Sequence, residues 1–245
     1  EETLAVCLLQ DNVPYSQRVG ERGFDHDLAK HLASKIGRTF RPEWIPNQTR
    51  ILEIDDSDFP LFRLKKGKCD AIFSMAGPPE KTLKGHDALS LGEPYYSAAF
   101  ELIECPPTGK FRALSDLRDV RVAIQSQTVA HFELLRIGGV SATTFSLEEA
   151  LSKSADVGLG LLWGPTSGNR LGGQTEKRVR VSEVSGTESC RVSTDFEVPS
   201  NLVWNFHVAT RKADSKLRDE LDRALMMAAD DGELRELFRK YGFPD

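Results

Sequence analysis

Short apolar runs alternate with amphipathic stretches along most of this chain, and the alternation predicts strands followed by helices. Leu4-Ala5-Val6-Cys7-Leu8-Leu9 is continuously apolar, as a parallel strand covered on both faces would be. Phe24 to Gly37 carries Phe24, Leu28, Leu32 and Ile36 at four-residue spacing and predicts an amphipathic helix. Asp25 and Asp27 favour its first turn and Gly37 its end. Thr39 to Ile45 predicts a second strand, Phe59 to Gly67 a short helix, and Ala71 to Phe73 a further strand. Ser97 to Glu104 is another, and Pro106-Pro107 breaks it and marks a domain boundary. Arg121 to Ile124, Ala142 to Phe145 and the apolar run from Asp156 to Trp163 then predict strands separated by helices over Val129–Ile137 and after Ser146, which forms a capping box with Glu149. Ser185 to Ser193 reads as loop and Val203 to Ala209 as strand. Lys216 to Tyr241 reads as a helical tail divided at Asp231-Gly232.

Strands alternating with helices over 245 residues predict an α/β protein of one large domain or two small ones. A hydrophobic content of 40% suffices for a packed core, and no apolar run reaches membrane-spanning length. A net charge of −5 argues against an electrostatic nucleic-acid binder. The chain opens at Glu1 directly before a strand, without a charged and apolar leader, so it is either cytosolic or has lost one. Cys7, Cys69, Cys105 and Cys190 form no CxxC and have no metal-ligand spacing with the five histidines. They are compatible with two disulfides or with buried thiols. His26 and His31, five apart, share no helix face and read as solvated. The acidic cluster Asp55-Asp56-Ser57-Asp58 lacks the calcium-loop pattern and reads as a cap or turn.

Candidate chemistry gathers where strands give way to helices. Ser74, Met75, Ala76 and Gly77 lead into Pro78-Pro79-Glu80-Lys81. Small residues followed by proline and an acidic residue fit a helix N-terminus whose free N–H groups favour an anionic ligand group, with Lys81 as counter-charge; an ordinary turn with a solvated lysine is the alternative. Ser126, Gln127 and Thr128 either cap the following helix or meet a ligand. Trp163 and Gly164 end an apolar strand, and the indole is either a stacking face or core. No Ser-His-Asp set, phosphate loop or dinucleotide fingerprint is present, and Gly158-Leu159-Gly160 alone is too weak to be one. His86, His131 and Glu133 stand near candidate loops without a catalytic arrangement, so no enzyme, cofactor or metal site is expected.

Four motifs occur in a telling order: Gly23-Phe24-Asp25-His26-Asp27-Leu28-Ala29, Asp70-Ala71-Ile72, Pro79-Glu80-Lys81 and Glu93-Pro94-Tyr95-Tyr96. In this they resemble type II periplasmic solute-binding proteins of the polar amino-acid branch (extracellular solute-binding family 3), and the resemblance covers nearly the whole chain. It implies two α/β lobes, each a mostly parallel sheet flanked by helices, joined by two crossover strands. The first lobe would comprise residues 1–104 and 201–245, and the second residues 105–200. The protein would be a non-enzymatic monomer that loses its leader, works in the periplasm, captures a small polar ligand in an interlobe cleft and presents it to a membrane ABC transporter. The implied ligand set is Asp11, Tyr15, Ser74, Met75, Ala76, Gly77, Lys81, Ser126, Gln127, Thr128, Trp163 and Gly164; for Tyr15 a packed surface loop is the alternative. The implied pairings are Cys7–Cys69 and Cys105–Cys190.

Two departures argue against a zwitterionic amino acid. Lys81 stands where the family's carboxylate-gripping arginine is expected, and a lysine cannot form that bidentate fork. The second-lobe aspartate that holds the ligand's ammonium is replaced by Trp163-Gly164-Pro165. With hydrogen bonds to charged groups worth about 1.5–3 kcal/mol each, weak or absent amino-acid binding is expected. Trp163-Gly164-Pro165-Thr166-Ser167-Gly168, Val6-Cys7 and Lys68-Cys69-Asp70 are similar to the J-type accessory proteins of quinoprotein methanol dehydrogenases. This implies an alternative role: contact with a PQQ-dependent alcohol dehydrogenase.

Overall fold

The computed structural model describes residues 2–12, 14–46, 59–77, 89–145, 147–163, 186–241 and 243. In chain order the elements are β1 (Thr3–Leu9), β2 (Asp11–Asn12), β3 (Ser16–Gln17), α1 (Phe24–Lys35), β4 (Thr39–Ile45), α2 (Pro60–Lys65), β5 (Ala71–Gly77), β6 (Leu89–Leu91) and β7 (Tyr96–Glu104). They continue with β8 (Arg121–Gln125), α3 (Val129–Arg136), β9 (Val140–Thr144), α4 (Leu147–Val157), β10 (Leu159–Trp163), β11 (Arg191–Val192), β12 (Val203–Arg211), α5 (Ser215–Asp230) and α6 (Glu233–Tyr241). The chain divides into two compact units: residues 1–96 with 205–241, and residues 97–204 with 242–245.

In the first unit β1 runs parallel to β4 and β5, and β12 pairs antiparallel with β5. β1 is buried along most of its length, as its unbroken apolar run requires. β4 is more polar and carries Pro42 opposite Val6, which an edge strand tolerates because its outer side forms no ladder. α1 buries Phe24, Leu28, Ala29, Leu32 and Ala33 against this sheet. It ends at Gly37, whose φ of 69° lets the Arg38 N–H return to the Ala33 carbonyl at 2.9 Å. Asp70 accepts the Ala5 N–H at 3.0 Å and an Arg211 N–H at 3.1 Å, so the aspartate of Asp70-Ala71-Ile72 ties three strands at the N-terminal end of β5. The Cys7–Cys69 disulfide closes the same region, linking the parallel neighbours as expected.

The second unit has a similar plan. β8 runs parallel to β9 and β10, and β10 pairs antiparallel with β7. Its core packs Leu102, Leu117, Val122, Ile124, Leu134, Leu161, Phe196 and Leu202. Cys105–Cys190 is the second disulfide, also as expected. It lays the chain beside the end of β7, where Arg191 and Val192 pair with Glu104 and Ile103. The stretch read as loop from 185 to 193 therefore contains a short strand. Its composition is polar, and only the cross-link and the open edge of β7 make it one.

The histidines of α1 also differ from their reading as solvated. His26 is 5% exposed, lies face to face with Trp44 and edge-on to Phe40, and its Nδ1 is 2.9 Å from Asp27 Oδ1. His31 Nε2 lies 2.8 Å from Glu233 Oε2. α6 docks on α1 and covers a face that local sequence would leave in water. Among the described residues no group of His, Cys, Asp and Glu could hold a metal, and no helix is long and apolar enough to cross a membrane. The cluster at 55–58 lies outside the described residues.

Candidate functional site

In the first unit, parallel pairing directs the C-terminal ends of β1 and β5 to the same edge of the sheet. The turn after β1 carries the exposed Asp11 and then Tyr15; β5 ends in Ser74, Met75, Ala76 and Gly77. The Tyr15 turn is built onto the N-terminus of α1. The Phe24 and Asp25 N–H groups donate to the Pro14 and Tyr15 carbonyls at 2.9 and 2.8 Å, filling two donors a helix leaves open. Gly23 is required there: at φ 128° it lies so close that a Cβ would stand 2.4 Å from the Tyr15 carbonyl oxygen. Tyr15 itself is 6% exposed and meets Phe206 edge-on at 5.9 Å, so its ring packs within the unit.

Ser74 is the best-supported residue of this edge. Its φ of 48° is left-handed, a conformation a serine keeps only where surroundings hold it. Its N–H donates to the Tyr95 hydroxyl at 2.6 Å, and its Oγ lies 2.5 Å from Asp25 Oδ1. Burial pushes the Asp25 carboxyl up to about 7, against the downward pull of the Ser74 hydrogen bond. Burial, reinforced by the nearby Asp25 charge, likewise raises Tyr95. At neighbouring Asp27, burial is outweighed by hydrogen bonds from Lys240, Tyr241 and His26, and the carboxyl is held below its ordinary range. The Tyr241 hydroxyl, which donates to Asp27 Oδ2 at 2.5 Å, accepts the Gly23 N–H at 3.1 Å, so the end of the chain braces the start of α1.

The rest of β5 is shaped by its partner β12. Met75 packs against the cluster of Cys7, Leu64, Ile72 and Ala209 and pairs with His207. Ala76 pairs with Phe206 and Gly77 with Asn205. His207 Nδ1 lies 2.8 Å from the Gly92 carbonyl, and its ring lies so close over Gly77 that a Cβ there would stand 2.8 Å from Cδ2 and Nε2. Lys81 lies outside the described residues.

In the second unit the parallel strands β8 and β10 end in Gln125 and Trp163. The turn after β8 is held locally. Ser126 N–H donates to the Thr144 carbonyl at 2.8 Å; Thr128 Oγ1 accepts the His131 N–H at 3.2 Å and donates to the Gln125 carbonyl at 2.9 Å. Gln127, at φ 61°, donates its N–H to His131 Nδ1 at 3.3 Å. Thr128 is thus the N-cap of α3. Trp163 is half-buried in a three-ring cluster, 5.0 Å from Phe100 and 5.4 Å from Trp204. Gly164 lies outside the described residues.

Sequence reasoning missed Asp25 as a buried partner of Ser74, Tyr95 as the acceptor for its N–H, and His207 over Gly77. The signal for Asp25 was its place directly after Phe24, the most deeply buried ring of α1; an aspartate in a first turn otherwise reads as a helix-dipole residue.

The chain matches the family described as bacterial extracellular solute-binding proteins, family 3, over residues 4–244. No curated protein matches it. Similar solved structures include an ancestral cationic amino acid solute binding protein (TM-score 0.72, 22% identity, 98% of this chain and 95% of that one). A histidine kinase sensor domain with similarity to periplasmic binding proteins is also similar (TM-score 0.67, 16% identity, 99% and 96%). A third is an amino acid ABC transporter substrate-binding protein of Streptococcus pneumoniae bound to L-arginine (TM-score 0.64, 19% identity, 98% and 94%). At these identities the likeness extends to the fold. Nothing in these similarities supports the accessory role beside a quinoprotein dehydrogenase.

Proposed function

The chain belongs to the bacterial extracellular solute-binding proteins of family 3, a family of binding proteins rather than enzymes, and from that premise we propose that it captures a small polar ligand in the periplasm for a membrane ABC transporter. The candidate ligand contacts are the strand-end residues of each unit taken by itself: Asp11 and Ser74 to Gly77 in the first, and Ser126 to Thr128 and Trp163 in the second. The observation that carries this reading is Ser74. A strained serine at the end of a parallel strand, held by Asp25 and Tyr95, is a polar group preorganised by the core behind it. The transporter role draws on the solved relative named as an ABC transporter substrate-binding protein.

A thermal-shift screen against amino acids, small organic acids, sugars and pyrroloquinoline quinone tests the reading. A ligand at about a hundred times its dissociation constant adds about 2.7 kcal/mol, which raises the melting temperature by several degrees in a chain of this length. Loss of that rise in Ser74→Ala supports the strand-end site. No rise with any compound overturns small-ligand capture and leaves the quinoprotein-associated role to be tested by pull-down.

A further inference from the structure

The Asp25–Ser74 contact joins a buried acid to a hydroxyl on the strand end. Asp25 is 6% exposed, and Ser74, with intermediate exposure, is the side chain through which it reaches β5. We propose that Asp25 is a positioning residue: whether its carboxyl holds a proton sets whether the Ser74 hydroxyl accepts or donates toward a ligand, and so the sign of ligand group that β5 prefers. This rests on the reading that β5 meets the ligand.

The argument is one of hydrogen-bond inventory. A serine hydroxyl has one hydrogen and two acceptor lone pairs. When Asp25 is ionised it can only accept, so at 2.5 Å it takes the Ser74 hydrogen and leaves the lone pairs for a ligand N–H or ammonium group. When Asp25 gains a proton, its carboxyl donates to Ser74 Oγ and the serine hydrogen is released to a carboxylate or other anion. The change involves one proton taken from solvent and no other co-reactant. The Tyr95 hydroxyl, which accepts the Ser74 N–H at 2.6 Å, is the more distant partner of Ser74 Oγ, at 3.4 Å against 2.5 Å for Asp25, so the shorter contact to Asp25 governs the serine hydrogen. The left-handed backbone at Ser74 and the N–H bond to Tyr95 hold the residue while the hydroxyl turns.

The charged surroundings leave Asp25 free to make this exchange. Its neighbours on α1, His26 and Asp27, bond each other. From α6, Lys240 and Tyr241 are directed to Asp27. From β5 and the segment before β7, the groups facing Asp25 are the Ser74 and Tyr95 hydroxyls. Among the described residues Asp25 has no ion pair. Burial raises its carboxyl to about 7, so both forms are populated around neutral pH.

The test uses the full chain and two simple probes, acetate and methylammonium, followed by amide and carboxyl NMR from about pH 5.5 to 8.5. Acetate is expected to perturb the Ser74 region with an affinity about fivefold or more higher at the acid end, and methylammonium with the opposite trend. Asp25→Asn removes both trends, while Ser74→Ala removes the preference and keeps the Asp25 titration. The wild-type carboxyl titration carries the test by itself if Asp25→Asn does not fold. The proposal is overturned if the Asp25 carboxyl titrates in the ordinary carboxylate range, if either trend survives Asp25→Asn, or if neither probe perturbs β5. An empty thermal-shift screen alongside opposite trends for the two probes would defeat the transport reading and leave this one standing.

Discussion

The two units end their parallel strands in similar polar turns, yet they support those turns differently. At the end of β5, Ser74 is held from behind by Asp25 and Tyr95, which come from distant parts of the chain, and α1 is braced in turn by α6. At the end of β8, Ser126 to Thr128 are held by the helix they open and by the next strand. The first turn is therefore sensitive to the tertiary structure of its unit, and the second to a single helix cap.

Changes to the cores separate the units most strongly. Phe24 is fully buried beneath Tyr95, Tyr96, Phe238 and Tyr241. Phe24→Ala is expected to cost about 3–5 kcal/mol, as is Phe196→Ala in the second unit, where Phe196 is 1% exposed. Urea titrations read through Trp44 for the first unit and through Trp163 and Trp204 for the second distinguish the two. Only Phe24→Ala is expected to displace the Ser74 amide signal; an equal displacement by Phe196→Ala would erase the contrast.

The disulfides come next. Cys7–Cys69 closes 62 residues and Cys105–Cys190 closes 85, so replacing either pair by serine is expected to cost about 4 kcal/mol by loss of chain constraint. Each loss should register with the tryptophans of its own unit. A shared transition in which either pair destabilises both units equally would show that they do not unfold separately.

Asp25 sets the third effect, a dependence on pH. The folded carboxyl holds its proton to about 7, whereas its ordinary value is 3.8. Between these values the folded state binds more protons than the unfolded one, so this group's contribution makes stability fall as pH rises through the window. The fall is on the order of 4 kcal/mol, and Asp25→Asn should flatten it. Asp27, held below its ordinary range, acts in the opposite direction: its contribution is present above the unfolded value and is lost as pH drops through the folded one. Denaturation midpoints from about pH 4 to 8 in wild type and Asp25→Asn check the sign; a wild-type advantage over Asp25→Asn that grows as pH rises across the window would refute the assignment.

The smallest change is Thr128→Ala. Removing the cap of α3 should cost about 1 kcal/mol and speed hydrogen exchange in that helix alone. A larger loss, or one that spreads into the core, would mean the second turn is supported from a distance after all.

Much of the strand and helix order was legible because it is written in local periodicity. The unbroken apolar run at Leu4–Leu9 became β1, and the four-residue spacing from Phe24 became α1. The ordered motifs pointed to the family, and the two disulfides followed from that resemblance rather than from the cysteines themselves. The site was less legible. Capping was one of the two readings open for Thr128 and is the one its local bonds show, whereas nothing near Ser74 in sequence announces Asp25, 49 residues earlier. His26 and Arg191-Val192 were misread for the same reason: packing against Phe40 and Trp44 of β4, and pairing with β7 beside a disulfide, are decided by other segments of the chain.

By itself, then, the sequence determined the alternation of strands and helices, the caps and the family pattern, because each depends on neighbours within a turn or two of chain. Only the tertiary structure decided that Asp25 is buried against Ser74, that Tyr95 takes the serine N–H, and that Phe40 and Trp44 of β4 cover His26. Burial and hydrogen-bond partnership are properties of surfaces brought together from distant parts of the chain. They set the protonation and direction of polar groups in a way no local pattern encodes.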